Sequence, residues 1–188
     1  MKRYIPGLSF FIFLCVAFYS FDVFAVKSAE NQTQSASFEL TSPAFQEKGS
    51  IPMLYTGEGK DISPPLVWKN VPKNTQSLAL ICDDPDAPGG SWVHWILYNI
   101  PTTFDHLGEG EKNLTSDIQF GKNSWGNLAY GGPHPPHGTH HYHFTLYALD
   151  TPLKLKEGAT KEELLKAIDG HILGNTTLVG LYHSQKGS

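Results

Sequence analysis

Three segments of this 188-residue chain carry side chains able to do chemistry. The first is Asp83-Asp84-Pro85-Asp86-Ala87-Pro88, which follows the apolar run Leu78-Ala-Leu-Ile-Cys82 directly. Its two prolines fix the backbone, so the carboxylates are held at a strand end. Strand alternation puts Leu78, Leu80, Cys82 and Asp84 on one face. Asp84 is therefore either a pocket residue or, with Asp86, an anchor for the amides of its own turn. A calcium loop does not fit, because the spaced oxygen ligands and the glycine of that pattern are missing. The second segment is the strand-like Trp92–Ile100, in which His94 is either a ligand group or a core histidine satisfied by a carboxylate or carbonyl. The third is Tyr130-Gly-Gly-Pro-His134-Pro-Pro-His137-Gly-Thr-His140-His141-Tyr142-His143, holding five of the nine histidines.

Geometry divides that third cluster. Its Gly/Pro-rich front half is a rigid turn able to bring backbone amides close to a ligand. Its back half enters a strand, where His140, Tyr142, Phe144 and Leu146 share an inward face and His141 and His143 look outward. A metal-binding reading requires convergence of His134, His137 and His140, or of His141 with His143, and no established zinc spacing is present. An enzyme reading has Asp and His to draw on but no activated serine or Gly-x-Ser-x-Gly elbow, so no catalytic residue and no cofactor is expected.

These groups need elements to position them. Period-2 patterning predicts strands over Ser77–Cys82, Trp92–Ile100, Tyr142–Leu149 and Thr176–Tyr182, with shorter ones over Phe38–Thr41 and Leu66–Lys69. The last of the four longer runs closes the chain's patterned part. One helix is marked by Thr160 as N-cap, Glu163 completing a capping box, an apolar stripe of Leu164, Leu165 and Ile168, and Gly170 as stop. Many strands with one helix and no βα alternation indicate an all-β, antiparallel sandwich.

The start of the chain reads as an export signal. Lys2 and Arg3 precede the apolar Leu8–Phe18, and Val23-Phe24-Ala25 offers a cleavage site after residue 25. The expected organisation is a signal peptide over 1–25, a polar leader over 26–36 and one domain over 37–184, with a periplasmic or secreted location and no transmembrane segment after cleavage. Taking Lys2, Arg3 and Asp22 from the 14 basic and 18 acidic residues leaves a net charge of −5. Arg3 is the only arginine, so the mature chain has none. That balance argues against nucleic acid and against a broad anionic membrane surface. Cys82, the one cysteine left, reads as a small buried hydrophobe, and no internal disulfide is possible.

Taken together, Asp84-Pro-Asp-Ala-Pro88, Trp92-x-His94 in a strand ending Tyr98-Asn-Ile100, and Tyr130-Gly-Gly-Pro-x-Pro-Pro136-x-Gly138-Thr-His140-x-Tyr142 resemble the signature of phosphatidylethanolamine-binding proteins. Phe38–Phe45, Ile62–Leu66 and Gly170–Gly174 look like its bacterial YbhB/YbcL branch, often labelled Raf-kinase-inhibitor-like. The resemblance spans Phe38 to Tyr182. It implies a Greek-key β-sandwich whose end pocket binds phosphate-like anions and phospholipid head groups. Carried over by motif position, the pocket residues are Asp84, His94, His140 and Tyr142, with a backbone amide at about His134. It implies a non-catalytic binder of a small anion or lipid head group, or an inhibitor of a serine protease or another protein acting through the pocket rim. Where family members commonly have Arg between the second His and the Tyr, this chain has His141.

Overall fold

The computed structural model describes Met1 and residues 36–111 and 114–184. The expected signal segment and leader, apart from Met1 and Ala36, lie outside the described residues. Among the described residues, nine strands, one α-helix and a 3-10 turn at Met53–Tyr55 make up the regular structure. A three-stranded sheet has the order β1 (Glu39–Thr41), β3 (Leu66–Lys69), β6 (His106–Leu107). A six-stranded sheet has the order β2 (Gly49–Ser50), β9 (Ile172–His183), β8 (Thr139–Leu149), β4 (Ser77–Asp84), β5 (Trp92–Ile100), β7 (Gln119–Phe120). All pairings are antiparallel except β2 with β9. Within the larger sheet β8 returns to the free side of β4 after β5 and β7, giving the spatial order β8-β4-β5-β7 of a Greek key.

The six-stranded sheet is covered on both faces, which explains its two-sided apolar strands. Leu78, Leu80 and Cys82 of β4 pack with Phe144, Leu146, Leu40, Leu66 and Trp68 between the sheets. Ala79 and Ile81 face the other way, against Leu164 and Ile168 of α1 (Lys161–Ile168). The helix starts as its sequence predicts: the Thr160 hydroxyl accepts from Glu163 N at 3.2 Å, and Thr160 N donates to the Glu163 carboxylate at 2.8 Å. Leu165, expected in the buried stripe, is instead exposed. It lies about 100° around the helix from Leu164, past the edge of a stripe centred on Leu164 and Ile168.

Strand β5 departs from simple alternation twice. Leu78 pairs with Ile100 but Leu80 with Leu97, and Cys82 pairs with Trp95 but Asp83 with Val93. Each step leaves one extra residue on β5. The first bulge lies at Asn99, whose φ of 56° is left-handed and whose side chain bonds both Leu153 N and Leu153 O. The second inserts His94. Bulges re-aim side chains, and this one turns His94 to the sandwich side beside Trp95.

Removing the helix cap by Thr160→Ala should cost about 1 kcal/mol. Truncating its anchor by Leu164→Ala should cost about 2–5 kcal/mol. Urea unfolding followed by tryptophan fluorescence checks both, and equal effects would contradict the anchoring described.

Candidate functional site

At the end of the six-stranded sheet, Asp84, His94, His134, His140 and Tyr142 line one pocket of about 360 Å³. All five residues singled out from the sequence therefore meet. His137 does not line the pocket, and His141 and His143 lie on the outer face, as alternation predicts. The remaining wall is Ala87, Pro88, Trp92, Trp125, Pro135 and Pro136. Among the described residues no lysine or arginine lines it.

Asp84 ends the inward row of β4 and is 4% exposed. Its Oδ1 accepts Asp86 N at 2.9 Å, and its Oδ2 lies 2.7 Å from His140 Nδ1. The two readings of Asp84 thus both hold: it anchors its own turn and faces the pocket. A carboxylate can only accept, so His140 donates through Nδ1–H. Asp86 sits outside, where its carboxylate accepts His141 N at 2.9 Å and meets His141 Nδ1 at 2.7 Å. Those bonds from His141 hold Asp86 below the usual carboxylate range.

His94 is fixed by a comparable contact. Its Nδ1 lies 2.6 Å from the Gly131 carbonyl, and Gly131 N donates back to the His94 carbonyl at 3.0 Å. A carbonyl cannot donate, so His94 also carries its proton on Nδ1. Nδ1 is the ring nitrogen engaged in each of these contacts. Burial pushes His94 below the ordinary histidine range, outweighing the opposite pulls of the Gly131 carbonyl and Asp84. Tyr142 stands edge-on to His94, with ring centroids 5.1 Å apart. Its hydroxyl is buried and has no hydrogen-bond partner among the described residues. Burial first, then Asp84, raises Tyr142 far above the phenol range, so the hydroxyl stays a neutral donor.

The Gly/Pro turn docks tightly. Tyr130 donates to the Tyr55 carbonyl at 2.8 Å, Gly57 N donates to the Pro133 carbonyl at 3.0 Å, and Gly132 N donates to Asp61. A Cβ at Gly132 would lie 2.5 Å from the Tyr55 carbonyl oxygen, so this backbone approach requires glycine. Trp125, which the sequence reading missed, packs edge-on against both His94 and Trp92. It is placed by two long-range bonds and one local one: Ser124 N donates to the Val93 carbonyl, the Ser124 hydroxyl accepts Val93 N, and within the turn Asn123 Oδ1 accepts Trp125 N. A bulky tryptophan inside the polar Asn123-Ser-Trp-Gly126 segment was the available signal. Among the described residues no three His, Cys, Asp or Glu side chains come together to hold an ion.

Two outcomes follow from this geometry. At pH 8, nitrogen-15 NMR should show His94 and His140 as Nδ1–H tautomers, and Asp84→Asn should flip His140, because the new amide donates to Nδ1. Folded His94 titrates below its unfolded value near 6.5. The unfolded chain therefore binds the extra proton, and His94 removes stability as pH falls below 6.5. Urea unfolding at pH 5, 6 and 7 should show a shallower loss for His94→Gln than for the parent chain.

The family model "Phosphatidylethanolamine-binding protein" matches residues 41–183. A UPF0098 protein of Methanothermobacter thermautotrophicus is 50% identical over 146 residues, 76% of this chain and 97% of that protein. The crystal structure of a phosphatidylethanolamine-binding protein homologue of Chlamydia trachomatis superposes with a TM-score of 0.75 at 42% identity, covering 79% of this chain and 99% of that one. Escherichia coli YbcL, described as a member of the mammalian family, gives a TM-score of 0.74 at 29% identity, covering 80% and 100%. These matches run through the strands and turns that build the pocket, and the chain belongs to the phosphatidylethanolamine-binding protein family.

Proposed function

We propose that this protein is an exported, non-catalytic binder that holds a small tetrahedral anion, free or as the phosphate of a lipid head group. The observation that carries this reading is the convergence in one pocket of Asp84, His94, His140 and Tyr142, whose buried hydroxyl has no hydrogen-bond partner among the described residues. A buried donor left unsatisfied costs stability, and in a pocket wall its natural partner is the ligand. Protonated imidazoles would add two charge-assisted donors. Among the described residues no serine, threonine, cysteine or lysine lines the pocket. Export rests on the pattern of Lys2, Arg3 and Leu8–Phe18. A second reading, a protein inhibitor acting through the rim, draws on Trp92 and Trp125, which stay 37% and 47% exposed at the mouth.

Tyr142→Phe should lower the affinity for inorganic phosphate about tenfold or more, yet leave the fold as stable as before or up to about 1 kcal/mol more so, since it removes an unpaired buried hydroxyl. Binding should also take up protons and tighten as pH falls through the histidine range, because an anion favours the charged imidazole. Calorimetry in buffers of different ionisation enthalpy reads the uptake, and a value of zero would sink the proposal.

A further inference from the structure

A second cavity, of about 450 Å³, shares no lining residue with the pocket described above. Its walls are aromatic: Trp95 of β5, Phe120 of β7, and Tyr130 at the start of the Gly/Pro turn. Tyr130 stands edge-on to Trp95, with ring centroids 5.5 Å apart, and its hydroxyl is taken by the Tyr55 carbonyl. Trp95 is 1% exposed, and its indole N–H is buried with no hydrogen-bond partner among the described residues. Trp68 makes the contrast: also buried, it donates its indole N–H to the Phe104 carbonyl at 2.9 Å. The mouth of the cavity is polar. Lys60 and Asp61 are exposed there, Glu111 is half-buried, and one Asp61 oxygen accepts Gly132 N.

A buried donor without an acceptor is a standing cost, and an indole nitrogen can only donate. A molecule that relieves the cost must bring an acceptor and otherwise suit flat apolar walls. A charged acceptor does not fit. An anion would leave water for an aromatic wall, and would meet two carboxylates against one ammonium at the mouth. We propose that this cavity is a second binding site, for small neutral molecules with an aromatic or apolar body and a carbonyl-type acceptor that receives the Trp95 indole N–H. The size fits, since cavities that hold small organic ligands run from about 300 Å³ upward. The N–H is closed to bulk water, so the acceptor reaches it only as the edge-on Trp95 and Tyr130 rings shift apart around the entering molecule.

The test is NMR of the four tryptophan indole N–H signals in nitrogen-15-labelled protein, titrated with acetophenone and with ethylbenzene. The two probes share a skeleton and differ by a carbonyl in place of a methylene. Acetophenone should move the Trp95 signal downfield, because a hydrogen bond deshields the proton, and leave that of Trp68 in place. It should also bind about fivefold or more tightly than ethylbenzene, the worth of one satisfied buried donor. In Trp95→Phe, which keeps an aromatic wall and removes the N–H, that preference should vanish. Should the smaller ring unsettle the core, Ala129→Trp supplies the check from outside: Ala129 is exposed where it lines the cavity, and a bulky side chain there should abolish the Trp95 shift. Equal affinity for the two probes, or a Trp95 signal that acetophenone leaves unmoved, overturns the proposal. Neither outcome touches the anion-binding reading, which rests on other residues.

Discussion

The contact on which the site depends is the buried one between Asp84 and His140, 2.7 Å from Oδ2 to Nδ1. With 5% and 7% of their side chains exposed, the two groups are nearly out of water, where an unpaired member would be costly. The same carboxylate accepts Asp86 N, so one side chain joins the end of β4, its turn and the start of β8. It also settles which nitrogen of the neutral imidazole carries the proton. Position and tautomer are thus set by a single acceptor.

The second anchor works by different means. His94 is bound to backbone, and the exchange of two hydrogen bonds with Gly131 makes strand β5 and the Gly/Pro turn one rigid piece. Trp125 closes against that piece, held through Ser124 and Asn123. His141 is drawn outward to Asp86 and contributes to the turn's geometry rather than to the pocket.

How much of this could be read beforehand follows from period and range. Asp84 and Tyr142 extend regular alternating rows in β4 and β8, so their inward direction was legible from local pattern. His94 was not legible that way. A bulge breaks the count in β5, and a strand apolar on both faces has no period to consult, so motif resemblance supplied the assignment. The two-residue strands β2, β6 and β7 carry too few positions for any pattern. Strand β9 begins at Ile172, earlier than expected, because Gly174 and Asn175 mimic a loop while pairing with Ala148 and Tyr147 fixes them. Trp125 is placed through Ser124, whose bonds to Val93 reach about thirty positions away, so its residue type was legible but its position was not.

Cys82 gives the fold one more property. It lies in the centre of the sandwich, 1% exposed, and burial with two neighbouring aspartates drives its thiol far from ionising. A reagent that attacks thiolates reaches it only when the sheets part. The side chain is therefore an intrinsic gauge of global opening: its alkylation kinetics would report how often the whole barrier between the layers is breached, without any label being introduced.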